Sequence, residues 1–292
     1  MEKLIKISIV AVVAFLQFNH AIAGGPWTQQ KGNGYYKLSE FWIVFDKHFT
    51  ENGETDPNVK TGIFNTNLYA EYGVTDRVTT ILNATLFSRN LMNTQTFNGT
   101  VNTQGEAING LGDIDLGIKY GLTKPGSKVP IAVSLYLGLP TGRTDQGTLK
   151  NLQTGDGEFN QLIQIDAGKG FKLFNKINSY VSGYTGFNHR TNGFSEELKY
   201  GIEYGAGLLN QSLWIIVRIN GVESFKNGIT AQDVSNASIF ANNTEYTSYA
   251  LEANYYVTKK MGLSAAYASA FRGEIIAAAP SYSVGVFLDL SK

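Results

Sequence analysis

The sequence predicts an all-β fold, an antiparallel transmembrane β-barrel of twelve strands, and three observations carry that expectation. Apolar and polar residues alternate with period two over segments of about ten residues, the pattern of a wall with lipid on one side. The chain is rich in glycine and aromatics and poor in charge. Its connections alternate between short and long.

Of the 292 residues only 16% are charged, against ~25% in an average soluble protein. The 32 glycines, 16 tyrosines and 17 phenylalanines suit a membrane barrel, where aromatic girdles mark both water–lipid interfaces. Mean hydropathy is −0.12, because alternation hides apolar residues among polar ones. Lys+Arg and Asp+Glu are both 24, which leaves no basic footprint for nucleic acid. There is no cysteine, so disulfides, thiolate metal sites and a cysteine nucleophile are excluded. His20, His48 and His189 are the only histidines. No metal and no cofactor is expected.

Residues 1–23 read as a signal peptide. Lys3 and Lys6 form a basic start, Ile7 to Phe18 an apolar stretch, and Ala21-Ile22-Ala23 a cleavage site before Gly24. The stretch is shorter than the ~20 residues a spanning helix needs. Residues 24–292 then form one barrel domain in the outer membrane of a Gram-negative bacterium, in contact with its lipid and lipopolysaccharide.

The clearest strand runs from Asp113 to Leu122. Ile114, Leu116, Ile118, Tyr120 and Leu122 share one face, and Asp113, Asp115, Gly117, Lys119 and Gly121 the other. Ile131 to Leu139 and Tyr249 to Val257 repeat the pattern. Short turns are expected at Thr75-Asp76, Thr123 to Pro130, Lys169 to Lys176, Leu209 to Gln211 and Thr258 to Lys260. Long polar loops are expected at about 46–62, 88–110, 141–157 and 225–244, with shorter ones near 191–196 and 272–279. Five turns and six loops join twelve strands and leave both termini periplasmic. A secreted β-sandwich or propeller would also alternate, but would not explain this asymmetry of connections.

Parity places Glu40, Glu71, Arg77, Asp113, Asp115, Lys119, Asp166, Glu203, Arg218 and Glu252 in the lumen, seven acids against three bases. In the first strand Lys37 and Glu40 fall on opposite faces. Glu40 is assigned inward, and Lys37 is expected to snorkel to the interface. A water-filled path with this charge favours neutral or cationic solutes. A lumen blocked by salt bridges, such as Asp115 or Glu203 with Arg218, is the alternative, because twelve strands lie between filled and open barrels. Such a barrel would serve as a structural or surface-interaction protein.

At the C-terminus, Ser283, Gly285, Leu288 and Leu290 fit the pattern polar-x-Gly-x-x-apolar-x-apolar. It resembles the signal read by the outer-membrane barrel assembly machinery, with Leu290-Ser-Lys where a terminal aromatic is usual.

Three further motifs stand together: Gly110-Leu111-Gly112-Asp113-Ile114-Asp115-Leu116-Gly117-Ile118-Lys119-Tyr120, Gly138-Leu139-Pro140-Thr141-Gly142 and Gln153-Thr154-Gly155-Asp156-Gly157-Glu158. With them the chain resembles the MetA-pathway of phenol degradation family, best over 110–170. The resemblance implies an outer-membrane barrel associated with aromatic-compound catabolism that passes small hydrophobic or aromatic solutes. The segment before the first strand, Gly24 to Asn33, is too short for the long plug of fatty-acid transporters.

Asn188-His189-Arg190-Thr191-Asn192-Gly193 resembles the Asn-His-x-Ser-Asn-Gly element of outer-membrane phospholipases. His189 would then be a base and Thr191 the nucleophile. The competing reading is an outer hairpin with Thr-Asn-Gly turn chemistry, and no catalytic residue is expected. Asp113/Asp115 and Asp156/Glu158 are spaced as oxygen ligands for calcium would be, but lumen wall and loop tip explain them as well.

Overall fold

The computed structural model describes residues 25–97, 100–148, 150–229 and 240–291. The expected signal peptide lies outside the described residues. Twelve antiparallel strands close on themselves: β1 (Gly34–Phe49), β2 (Thr55–Thr75), β3 (Val78–Met92), β4 (Ile114–Gly121), β5 (Ile131–Leu139), β6 (Asn160–Leu173), β7 (Ile177–Arg190), β8 (Glu197–Leu208), β9 (Leu213–Ser224), β10 (Glu245–Tyr256), β11 (Met261–Glu274) and β12 (Ser281–Asp289). Each pairs with its sequence neighbour. β12 returns to β1 from Tyr35↔Asp289 to Ile43↔Ser281, so no edge remains. A detached piece, Glu106–Gly110, continues β4 outward along β3.

The outer surface is apolar, whereas the interior holds buried charges beside two apolar clusters, one around Ile43, Phe45, Ile63 and Ile276 and one around Tyr69, Ile81, Tyr136 and Leu162. Leu116, Ile118, Ile163, Ile165, Val217, Leu251 and Val284 face outward and are exposed. Glu71, Lys119, Asp166, Arg218 and Glu252 are buried. Exterior rings pair toward the loop end, Trp42 on Tyr282 at 5.8 Å and Tyr249 on Phe271 at 4.1 Å. Toward the turn end Tyr72, Tyr120 and Tyr255 are exposed, giving the second belt. Among the described residues no helix is long and apolar enough to cross a membrane.

The connections alternate as expected, with three corrections, the first being that the turn expected at Lys169 to Lys176 is only 174–176, because β6 runs to Leu173. The first outer loop is only 50–54, because β1 and β2 run on past the wall through the polar stretch assigned to a 46–62 loop; backbone pairing persists to Phe49↔Thr55. Strand pairing also shortens the second outer loop to 93–105, which carries its own hairpin of Gln95–Phe97 and Thr100–Thr103. At 191–193 the backbone turns through left-handed Asn192 and Gly193, the turn chemistry that Thr-Asn-Gly announced. A register shift between Thr66 and Asn67 turns both Leu86 and Phe87 to the outside.

Residues 25–33 are not a free tail. Trp27 packs edge-on against the inward ring of Tyr180 at 5.4 Å. The main-chain N–H of Gln29 donates to Thr79 Oγ1 at 2.8 Å, and Gly32 N–H donates to the Gly73 carbonyl at 2.8 Å. A Cβ at Gly168 would sit 2.9 Å from both Pro26 and Trp27, so only glycine at that point of β6 lets the segment lie against the inner wall. Residues 25–33 therefore fold back into the turn end of the barrel.

Candidate functional site

The interior charges are gathered into clusters. Nearest the N-terminal segment, Glu71 Oε1 accepts from the Tyr69 hydroxyl at 2.7 Å and from Lys119 Nζ at 3.2 Å, and Glu71 Oε2 accepts from Gln29 Nε2 at 2.8 Å. Lys119 and Glu71 are 0% and 1% exposed, so these bonds stand in for water that the two ions lost. Asp166, on β6, accepts from Gln164 Nε2 at 2.8 Å.

Across the lumen Arg218 is the hub of a second cluster. It is paired to Glu203 and, at 2.7 Å, to Glu252. Glu252 also accepts from Lys37 at 2.9 Å, and the Tyr180 hydroxyl donates to Glu203 at 2.5 Å. The third cluster lies toward the loops. Arg190 is paired to Glu158, to Glu197 at 2.7 Å and, more loosely, to Asp156 at 3.8 Å. Lys199 shares Glu197 at 3.2 Å.

Asp113 holds a loop. Its two carboxylate oxygens accept the main-chain N–H groups of Gly142 at 2.9 Å and Asp156 at 3.0 Å. A Cβ at Gly155 would collide with the Asp113 carboxylate, so glycine is required where the loop meets it. Thr141 Oγ1 donates to the Gly112 carbonyl at 2.6 Å, and Thr154 Oγ1 to the Leu111 carbonyl at 2.7 Å. The three motifs noted in the sequence are thus one contact: loop 140–159 is folded against the start of β4 and held by Asp113.

Burial and its neighbours distort the acids of this loop. Asp113 is pushed up to about 7, first by burial and then by the charge of Asp156, against the lowering effect of its two N–H donors. Burial raises Glu158 to about 8 although Arg190 pulls it down. Asp156 is also raised, mainly by burial.

Between these groups lies a cavity of ≈ 220 Å³. Its walls include Phe41, Asn65, Asp113, Asp115, Asp156, Glu158, Arg190, Arg218, Phe240 and Glu252. Asp115 accepts from Asn83 Nδ2 at 3.1 Å.

Of the ten side chains expected inside, Glu71, Asp113, Asp115, Lys119, Asp166, Glu203, Arg218 and Glu252 point inward. Two expectations are corrected. Glu40 lies on the outer face, where Thr66 Oγ1 donates to it at 2.7 Å; strict alternation puts Lys37, Ser39 and Phe41 inside instead. Lys37 does not snorkel because Glu252, remote in sequence, pairs with it across the lumen. Arg77 sits in the tight turn between β2 and β3, beyond the strand ends. Of the two pairings suggested for Arg218, the one with Glu203 is present, and Glu252 is its other carboxylate partner. Sequence reading missed Lys37, Arg190, Glu197 and Lys199 as interior residues. Parity with Glu203 on β8 could have found Glu197 and Lys199.

His189 faces outward, with Nδ1 2.9 Å from Glu196 Oε1. Thr191 Oγ1 accepts the main-chain N–H of Phe159 at 2.8 Å, so the hydroxyl is engaged in fixing the hairpin. Among the described residues no three His, Cys, Asp or Glu side chains converge to hold a metal ion. Ser283 and Gly285 face inward and Leu288 outward on the closing strand, and Leu290 lies just past its end at Asp289.

No family model matches the chain, and no curated protein sequence matches it. Among solved structures it is similar to the COG4313 outer membrane channel from Pseudomonas putida F1, with TM-score 0.58 and 14% identity over 93% of this chain and 99% of that one. The NanC porin follows at TM-score 0.47 and 9% identity, over 87% of this chain and 100% of that one. KdgM, solved with a disordered oligogalacturonate, gives 0.44 and 8%, over 87% and 98%. The fold is that of an outer-membrane, channel-like β-barrel.

Proposed function

We propose that this chain resides in the outer membrane and passes small solutes, aromatic ones among them, through its lumen. The observation that carries the reading is a polar cavity of ≈ 220 Å³ inside a barrel whose outer surface is apolar. Phe41 and Phe240 give the cavity apolar faces and its amides and carboxylates give polar ones, a combination suited to a ring with a hydrogen-bonding substituent. The clusters described join nine acids to five bases, so the lumen favours cations over anions. The closing strand, with Ser283, Gly285, Leu288 and Leu290, is the segment the assembly machinery would read.

The test is single-channel recording of the purified chain in a planar bilayer, with uptake of small aromatics in a deletion strain. A small, cation-preferring conductance and slowed uptake in the deletion strain are expected. A soluble periplasmic protein, or a bilayer that stays silent in every variant, sinks the reading. The phospholipase reading retains one observation, the outward His189–Glu196 pair. Lipid hydrolysis by the pure protein that His189→Ala abolishes would promote it.

A further inference from the structure

The two rims of the barrel differ in charge. Lys124 and Lys128 stand in the turn between β4 and β5, Lys169 and Lys176 beside the turn between β6 and β7, and Lys259 and Lys260 in the turn between β10 and β11. All six are exposed, and among the described residues no carboxylate pairs with them. The acids described at this rim are already engaged. Asp76 accepts the main-chain N–H of Lys31 at 3.0 Å, and Asp289 accepts from the Tyr256 hydroxyl at 2.7 Å. At the loop end Lys226 is paired to Glu245 at 3.2 Å and to Glu274 at 2.8 Å, Arg272 is paired to Glu223, and the 50–54 loop adds Glu51 and Glu54.

A second observation is independent of the charge. Each of these three turns holds exposed apolar side chains next to its lysines. Phe174, two residues before Lys176, is 81% exposed and sits at the turn in the left-handed conformation, φ 49°. Leu122 and Val129 flank Lys124 and Lys128, and Val257 and Met261 flank Lys259 and Lys260; all four are exposed. Lysines mixed with apolar side chains are the composition of elements that lie at the boundary between headgroups and acyl chains.

We propose that the turn end is a docking rim for anionic phospholipid, a lipid of the phosphatidylglycerol kind. The lysine ammonium groups meet the headgroup phosphates, and the apolar side chains beside them enter the first carbons of the acyl chains. Position favours this partner, because the turns continue the apolar outer wall and so stand at headgroup level. Charge selects within it: a zwitterionic headgroup offers the same phosphate but carries an ammonium of its own, whereas an anionic headgroup leaves the attraction uncancelled. A soluble acidic protein or a cell-wall polymer would account for the lysines but not for the apolar side chain that accompanies each pair.

The rim rests on the outer-membrane reading, and the experiment separates the two. The full chain is reconstituted in vesicles of equal parts phosphatidylglycerol and phosphatidylcholine, each lipid spin-labelled in turn, and electron paramagnetic resonance reads the lipid immobilised by the barrel. At low salt phosphatidylglycerol should be held about threefold more strongly, less than the roughly fivefold of one lysine at an anionic surface because lipid at the loop end dilutes it. The preference should vanish at ~1 M salt, where the screening length is ~3 Å. Lys259→Gln with Lys260→Gln should lower it, and adding Lys169→Gln and Lys176→Gln should remove most of it. Lys47→Gln with Lys60→Gln, exposed at the loop end, should leave it unchanged and controls for net charge. Equal binding of the two lipids overturns the rim, as does a preference that survives in the fourfold variant or falls as far in the loop-end variant. Inorganic phosphate that abolishes the preference at an ionic strength where chloride does not would assign a free-anion site in its place. Retention on isolated peptidoglycan, lost in the fourfold variant while lipid preference is absent, would assign a cell-wall partner. A chain that enters neither vesicle nor detergent micelle fails the outer-membrane reading itself, whereas one that inserts without preference loses only the rim.

Discussion

The two ends of the lumen use the same strand alternation to opposite effect. At the turn end Glu71 has Tyr69, Lys119 and Gln29, and Trp27 packs beside Tyr180, while Asp166 is bonded to Gln164 through one oxygen and its other oxygen has no hydrogen-bond partner. At the loop end Arg190 is shared by Asp156, Glu158 and Glu197, and Asn65 has no hydrogen-bond partner. Matched buried charge seals and rigidifies, whereas unmatched charge is tolerable only where water or a ligand reaches it. The turn end is occupied by residues 25–33, and the loop end by the loop held on Asp113 and an apolar cluster around Ile43, Phe45 and Ile276.

The largest effect should come from breaking the closure. Deleting residues 25–31 removes Trp27 and Gln29 without touching a strand. Single-channel conductance should rise several-fold, and the cation preference should persist because the interior acids remain. If conductance is unchanged, the segment does not seal the path.

Next in size is the match itself. Lys119→Met leaves Glu71 buried with neutral donors only, and removing one partner of a buried pair costs ~3–5 kcal/mol. The denaturation midpoint of the folded barrel should drop accordingly. Asp115→Asn, toward the loops and able to keep a hydrogen bond to Asn83, should lower that midpoint less. Similar losses in both variants would erase the distinction between the ends.

The loop held by Asp113 should respond to pH. Asp113 and Glu158 are raised in the folded loop, to about 7 and about 8, so the packed loop binds protons more tightly than a released one. The stabilisation this gives is complete at acid pH, below the ordinary carboxylate range, and is lost as pH rises through 7 and 8. Once ionised, Asp113 faces Asp115 and Asp156, and nearby Arg190 is already shared with Glu158 and Glu197. Bilayer conductance should therefore rise modestly between about pH 6 and pH 9, and Asp113→Asn should flatten the profile. A rise toward acid pH would reverse the sign and overturn the account.

The wall was readable from sequence because a period-two pattern reports a local property, the face on which each residue lies. Ile114 to Leu122 needed no partner to be placed. Lys37 and Glu40 show where that ends. Both are charged, they lie three apart, and only one can be inside; the choice is made by Glu252 on β10, more than two hundred residues away. The latch has the same character. Asp113, Gly142 and Gly155 were visible as separate motifs, but the contact joining them depends on the path of a loop, which alternation does not encode. The inserted N-terminal segment has no periodicity at all, and Gly168, the residue that admits it, looks in the sequence like any other barrel glycine.

Glu40 gives the smallest predicted effect and the sharpest test of register. It stands on the outer face between Leu38 and Trp42, with Thr66 as its hydrogen-bond partner. A carboxyl facing hydrocarbon is unfavourable, though acids on the lipid face cost less than the ~2–4 kcal/mol of Arg or Lys at the midplane. Lys119→Met removes a favourable contact, but Glu40→Leu should remove an unfavourable one. Folding of the barrel into vesicles should yield a slightly higher denaturation midpoint, with conductance and cation preference untouched, since the residue does not line the lumen. Were Glu40 inward, as its charge alone suggests, the same change would strip a carboxylate from the path and reduce cation preference. A shift in reversal potential without a gain in stability would therefore move β1 by one residue, and with it every inward assignment on that strand.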